Sequence, residues 1–294
     1  MANNSPGELI RSAWSKNPIA IPGVFNPLMA IMAENLGFEA VYLSGGALAA
    51  GNGVPDIGLL GLETFVNAAR AITDGTSLPV LCDIDTGFGG VLNVERTIQQ
   101  MENAGVAAVH LEDQQMPKRC GHLTGKTLVS ASEMVSKIQA AVNARKNSSF
   151  VIIARTDARS VEGYNAVKER AEMYMEAGAD AIFPEALESE EEFAQFGEFA
   201  QKKKMPVLAN MTEFGRSPIL SLNQLGKYGF RMVLFPLSGF RAAMQSAKLT
   251  LLQIKKHGEV GEQINHMLTR AELYETLNYQ GFEERDRQYF GKSN

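Results

Sequence analysis

Asp83 and Asp85, one residue apart at the end of a short apolar run, are the first residues of this chain that demand a chemical reading. On a strand, alternate side chains share a face, so this spacing points both carboxylates the same way. Two carboxylates on one face repel each other unless a cation sits between them, and hard oxygen donors with room for water suit magnesium. Glu112, at the end of the next apolar run, extends the set directly or through water. The competing reading is a pair of strand-end aspartates that cap helices; it gives Glu112 no part.

A second cluster, Lys118-Arg119-Cys120-Gly121-His122, sets a thiol among two cations and a histidine. Such neighbours favour the thiolate or tune the thiol's pKa. The stretch between Pro117 and Gly125 reads as a mobile lid. Cys82, inside an apolar run, reads as a small buried hydrophobe, and His110 as a core histidine rather than a metal ligand. Gly125-Lys126-Thr127 ends like a phosphate-binding loop, but residue 120 is cysteine where that pattern needs glycine, and no strand immediately precedes it. The chain has neither H-E-x-x-H nor G-x-S-x-G.

A site with three carboxylates would repel an anion unless cations reversed its sign. Arg155, Arg241, Lys118, Arg119 and His122 supply them, and arginine matches carboxylates with two parallel hydrogen bonds. Ser44-Gly45-Gly46 offers backbone N–H groups, and Asn210 and Thr212 add neutral donors. This set fits a small polyanionic acid. Arg241 and Arg270 have an equally good use in surface ion pairs.

The elements that must position these residues alternate along the chain. β-rich apolar runs recur at 20–25, 39–43, 79–84, 107–111, 150–154, 181–184, 206–209 and 231–235. Helical apolar spacing lies between them, for example at 93–104, 132–145, 165–177 and 190–202. Gly37, Gly105, Gly178 and Gly229 stand where helices should stop. Eight such units predict a (β/α)8 TIM barrel, whose active site lies at the C-terminal strand ends. The candidate residues sit at those ends. Ser5-Pro6-Gly7-Glu8 predicts a capped helix covering the barrel's bottom. The whole chain, 1–294, reads as one barrel domain with a helical extension over 259–294 whose apolar residues need a neighbouring subunit to cover.

Composition excludes several classes. The net charge is −5 and the longest cationic run is Lys202-Lys203-Lys204, which solvates a helix end, so nucleic acid is a poor partner. No apolar run is long enough for a bilayer and the N-terminus does not read as a signal peptide, so no membrane partner is expected. Two distant cysteines make no disulfide framework and fit a cytoplasmic location.

Taken together, the motifs resemble the isocitrate lyase/phosphoenolpyruvate mutase superfamily, in its methylisocitrate-cleaving branch. They are YLSGG at 42–46, DIDTGFG at 83–89, EDQ at 112–114, KRCGH at 118–122, ARTD at 154–157, FPEA at 183–186, NMTEFG at 210–215, PLSGFR at 236–241 and TRAELYE at 269–275. The resemblance runs from Ser5 through Glu275, and KRCGH is the motif that marks lyases. It implies a barrel with exchanged C-terminal helices, assembled as a homotetramer. It implies Mg2+ on Asp83 and Asp85, with Glu112 nearby through water. Ser44, Gly45 and Gly46 would bind a pyruvate-like half, and Cys120 would be the catalytic acid. Gly121, His122, Asn210 and Thr212 would hold a succinate half, with Arg155, Glu185, Arg241 and Arg270 completing the pocket. Phe183 and Leu234 would set selectivity by accommodating a methyl group, and the base is Tyr42 or Glu185. The implied reaction is retro-aldol cleavage of 2-methylisocitrate. Ile84 departs from the usual alanine, and Gln115-Met116-Pro117 from a common V-G-A. The competing expectations are a 2,3-dimethylmalate lyase or a dual lyase that also cleaves isocitrate. Outside this class stand a metal-independent Cys120–His122 hydrolase and a barrel that only binds dicarboxylates.

Overall fold

Ser5 starts the first helix for a local reason. Its hydroxyl accepts from the Glu8 N–H while the Glu8 carboxylate accepts from the Ser5 N–H at 2.8 Å. The resulting helix α1 (Pro6–Lys16) turns Ile10, Ala13 and Trp14 onto one end of the sheet, as the capping pattern predicts. Arg231 locks it there by donating to the Trp14 carbonyl at 2.8 Å.

The computed structural model describes residues 4–123 and 125–290. Its strands are β1 (Ile19–Val24), β2 (Val41–Leu43), β3 (Val80–Asp83), β4 (Ala108–Glu112), β5 (Val151–Thr156), β6 (Ala181–Pro184), β7 (Leu208–Asn210) and β8 (Met232–Phe235). They pair in parallel in the order β6-β5-β4-β3-β2-β1-β8-β7, and a parallel bridge between Ile182 and Val207 closes the ring. Parallel strands need crossovers; the crossover helices bury the outer face of the sheet and the strands' own side chains fill the inside, so these runs are apolar throughout rather than alternating. Ile21, Leu81, Ile153, Phe183, Leu208 and Leu234 belong to the cluster that fills the barrel. Val41, Val109, Ile152 and Ile182 pack outward against the helical ring.

The helices after α1 are α2 (Pro27–Asn35), α3 (Gly45–Gly51), α4 (Leu62–Gly75), α5 (Val91–Asn103), α6 (Ala131–Ala144), α7 (Tyr164–Glu176) and α8 (Glu190–Lys202). They are followed by α9 (Leu222–Tyr228), α10 (Ser238–His257), α11 (Arg270–Thr276) and α12 (Tyr279–Phe290). The four glycine stops all take positive φ, from 81° at Gly105 to 103° at Gly178. The lysine run ends α8, where Lys202 and Lys203 pair with Glu198 and Glu172. Helix α3 follows β2 directly. Its small residues carry no apolar period, and it forms because the Ser44 hydroxyl accepts from the Ala47 N–H. Helices α10 to α12 bury no residue in the single chain and expose Leu251, Leu252, Phe282 and Phe290.

A buried polar knot ties β4 to β5 beneath the barrel's mouth. Asp113 accepts from the Thr156 hydroxyl at 2.7 Å, the Asp157 N–H at 2.9 Å and the Tyr174 hydroxyl at 2.8 Å, and it pairs with Arg170 at 3.2 Å. Removing one partner from such a set strands the rest. Asp113→Ala should therefore cost about 3–5 kcal/mol of stability, read by urea unfolding. A loss within about 1 kcal/mol would show that the knot is only surface-like.

Candidate active site

The C-terminal strand ends surround one cavity. It is lined by Tyr42, Ser44, Gly46, Asp56, Asp83, Lys118, Arg119, Cys120, Gly121, His122, Arg155, Glu185, Asn210, Thr212, Pro236 and Leu237. Residues from six strands and the loop after β4 thus meet where the barrel rule puts chemistry.

The two aspartates converge, but not by strand alternation. Strand β3 ends at Asp83, and Asp85 lies beyond it at φ 46°, in the left-handed region. That turn lets the Asp85 N–H donate to Asp83 Oδ1 at 2.9 Å. It also brings the Asp85 carboxylate to the Lys118 ammonium at 2.6 Å. Gly45 makes room for Asp83, because a Cβ there would come 2.5 Å from Asp83 Oδ2. Burial first, and then Asp83, pushes the Asp85 carboxyl up to about 7. Burial works against the Asp83 charge too, but Lys118, Arg155 and the Asp85 N–H hold that carboxyl below its ordinary range. Glu112 is buried and pushed well up, chiefly by desolvation.

This set fits a divalent cation. Glu112 Oε1 is buried without a hydrogen-bond partner. The Lys118 ammonium is shared between Asp85 and Asp56. Among the described residues, no three histidine, cysteine or carboxylate side chains close into a preformed cage. An open set of hard oxygens leaves coordination positions for water and substrate, as magnesium requires.

On the opposite side Arg155 is a hub. It meets Asp157 at 3.0 Å, Glu185 at 3.3 Å and Glu112 at 3.4 Å, and its guanidinium lies 5.1 Å over the Phe183 ring. Despite burial, Arg155 and His122 hold the Glu185 carboxyl far below the usual range, so it is ionised. His122 Nε2 lies 3.1 Å from Glu185, and Nδ1 accepts from the Arg216 N–H at 3.0 Å. That bond puts the neutral ring's proton on Nε2, facing Glu185. Asn210 donates to both Glu185 oxygens, at 3.2 and 3.3 Å.

Tyr42 donates its hydroxyl toward Asp83 at 3.3 Å and contacts His110 Nε2 at 2.8 Å. Burial, then Asp83, pushes the phenol well up, so Tyr42 stays protonated. Burial also brings His110 down to about 4, which makes it the neutral core histidine expected. Cys82 is buried, also as expected.

Of the two readings of Cys120, a thiolate or a tuned thiol, the geometry favours the thiol: burial outweighs the His122 N–H and pushes it up. Lys118 is committed to Asp56 and Asp85 rather than to the thiol. The thiol is therefore an acid rather than a ready nucleophile.

Not every candidate reaches the cavity. Arg241 turns to Glu213 at 2.8 Å and lies 5.4 Å over Phe214. Arg270 opens α11, exposed and outside the cavity in the single chain. Phe183 and Leu234 lie one layer below, both buried in the barrel core. Asp56 was missed. Its only sequence signal is a lone carboxylate between Pro55 and Gly58, in the long connection from β2 to α4 that also holds α3, and connections after strands start at the mouth.

Comparison with known proteins agrees with this architecture. The family model described as phosphoenolpyruvate phosphomutase matches residues 11–255. The 2-methylisocitrate lyase of Aeropyrum pernix is 47% identical over 282 residues, covering 96% of this chain and 90% of that protein. The crystal structure of 2,3-dimethylmalate lyase superposes with TM-score 0.89 at 34% identity, covering 99% of this chain and 97% of that one. Phosphonopyruvate hydrolase, solved with oxalate and Mg++, gives TM-score 0.88 at 29% identity, covering 98% and 100%. Closed eight-stranded barrel, motif-bearing strand ends and near full-length similarity agree, and the chain belongs to the phosphoenolpyruvate phosphomutase family, on the side of its 2-methylisocitrate lyases.

Proposed function

We propose that this protein is a magnesium-dependent lyase that cleaves 2-methylisocitrate to pyruvate and succinate. The observation that carries the reading is one cavity that joins the Asp83 carboxylate to a protonated Cys120 thiol across an Arg155–Glu185 pair. The near full-length similarity to a 2-methylisocitrate lyase supports it.

Asp83 and Asp85 would hold the metal, with Glu112 through water; when bound, the ion supplies charge stabilisation to the substrate's hydroxyl and adjacent carboxylate. Ser44 and Gly46 line the side where a pyruvate-like half binds, and Gly45 between them makes room for Asp83. Arg155, His122, Asn210 and Thr212 receive the succinate carboxylates. Glu185 is ionised and Tyr42 is not, so Glu185 accepts the hydroxyl proton and Tyr42 donates to a substrate oxygen. A substrate carboxylate arriving on Arg155 shares that guanidinium and so raises the basicity of Glu185. After the carbon–carbon bond breaks, Cys120 gives its proton to the succinate carbanion equivalent. The exposed apolar faces of α10 to α12 support exchange of these helices between subunits of a homotetramer, in which Arg270 reaches a neighbouring site. Both cysteines are free, and among the described residues no helix is long and apolar enough to cross a membrane, which supports a cytoplasmic enzyme.

The test is release of pyruvate and glyoxylate from 2-methylisocitrate, isocitrate and 2,3-dimethylmalate, each with magnesium and with chelator. Magnesium-dependent pyruvate from 2-methylisocitrate, much faster than glyoxylate from isocitrate, is the expected result. One methyl group is worth only about 1–3 kcal/mol, so slow isocitrate cleavage is compatible with it. Faster turnover of 2,3-dimethylmalate would replace the substrate. Activity that persists in chelator would point to the Cys120–His122 hydrolase instead. In the same assay Glu185→Gln should lose more activity than Tyr42→Phe; the reverse order would move the base to Tyr42.

A further inference from the structure

Lys126 does not line the cavity, although its charge adds to those that hold the Glu185 carboxyl down, and its side chain is only 1% exposed. An ammonium is buried without penalty only where its charge and its N–H groups are matched. Among the described residues it is matched by Asp157 Oδ1 at 2.9 Å, just past the end of β5, and by the carbonyl of Gly121. The Gly121 carbonyl lies between Cys120 and His122 in the chain. Asp157 also accepts from Arg155 Nε at 3.0 Å. Lys126 therefore joins the loop that carries the acid to the strand that carries the cationic hub. It does so from outside the cavity, since it is absent from the lining.

The loop is pressed hard onto what lies beneath. A Cβ on Gly121 would overlap the Glu185 side chain and stand 2.6 Å from Arg155 Nη2. Nothing but backbone fits there, so a backbone carbonyl is the handle by which this part of the loop can be held. Lys118 holds the other flank, but its ammonium sits among the carboxylates that would take the metal, so its two roles are inseparable. Lys126 meets none of them.

We propose that Lys126 is the latch that seats the Cys120 loop, a positioning residue that acts through the Gly121 carbonyl on the thiol and on His122. The kinetic consequence rests on the lyase reading above; the geometric one does not. Unlatching frees Cys120 to move and misplaces the acid relative to the carbanion, which slows the step after bond cleavage more than it weakens binding.

Lys126→Met keeps the side chain's length and removes its charge and donors, while Asp157 keeps Arg155. In the folded, substrate-free variant, iodoacetamide should alkylate Cys120 about tenfold faster than in the wild type, read by intact mass, with the buried Cys82 as the unreactive internal control. The value of kcat should fall about 30–100-fold, with KM changed less than about threefold. In Lys126→Ala, propylammonium added to the buffer should restore slow alkylation and part of kcat. Alkylation within about twofold of the wild type overturns the latch, and so does faster alkylation with kcat unchanged. Absence of rescue by the alkylammonium overturns it as well. Should Lys126→Met and Lys126→Ala fail to fold, Lys126→Arg, which keeps the charge but not the fit, decides by the same alkylation rate: several-fold faster supports the latch and an unchanged rate overturns it. If the wild type releases no pyruvate from 2-methylisocitrate, the lyase reading falls, and the alkylation comparison still decides the latch.

Discussion

Cys120→Ser should lower kcat for 2-methylisocitrate by about three orders of magnitude or more, while the thermal unfolding of the protein changes by no more than a few degrees. The swap replaces sulfur with oxygen at almost constant shape. What changes is acidity. A serine hydroxyl is a far poorer acid than a thiol, so protonation of the carbanion becomes the slow step. The structure sharpens the expectation, because burial already keeps the Cys120 proton in place. A residue that must arrive protonated loses its function when its proton can no longer be given up. The side chain is only partly buried and joins no core cluster, so the fold has little reason to respond. Turnover within about tenfold of the wild type would remove Cys120 from proton transfer and leave it a packing role.

The second large effect concerns the carboxylates. Asp85→Ala should weaken magnesium binding by about 100-fold or more, followed by calorimetric titration of the substrate-free protein, with activity lost in parallel. Asp85 lies 2.6 Å from the Lys118 ammonium, which it shares with Asp56. Its charge is disfavoured in the folded chain by burial and by Asp83, so the site holds an electrostatic strain that a divalent ion would relieve. Removing Asp85 takes away that incentive along with a ligand. Lys118 keeps Asp56 as a partner, so its ammonium is not left stranded and the apo protein should unfold within about 3 °C of the wild type. An unchanged titration would refute the assignment of Asp83 and Asp85 as the metal's ligands and return them to helix capping.

These effects have a common basis in how charge is distributed at the mouth. On one side acidic groups crowd around Lys118; on the other, acidic groups crowd around Arg155. Each cation is buried and each is shared among several carboxylates. The arrangement leaves the first cluster short of positive charge and the second able to exchange Glu185 or Asp157 for an incoming carboxylate. A substrate with several carboxylates and a hydroxyl answers both.

Much of this was fixed by residue order alone. Eight apolar runs alternating with helical spacing leave a barrel as the economical way to bury both faces of every strand, and the strand boundaries follow within two residues or so because local patterning and tertiary burial agree there. The chemistry-bearing residues were also legible, since a barrel places the residues after each strand on one rim and Asp83, Glu112, Arg155, Glu185 and Asn210 stand at those positions. Three things were decided only in three dimensions. Asp85 reaches Asp83 through a left-handed turn that no propensity announces, because the non-glycine residue adopts it under tertiary constraint. Cys120 is an acid rather than a thiolate because burial, which sequence neighbours do not reveal, outweighs the His122 N–H, and Lys118 is drawn to Asp56 and Asp85. Asp56 and Lys126 join the machinery through contacts 62 and 31 residues away in the chain, and a pairing between distant positions exists only once the barrel has closed and brought the loops after different strands together.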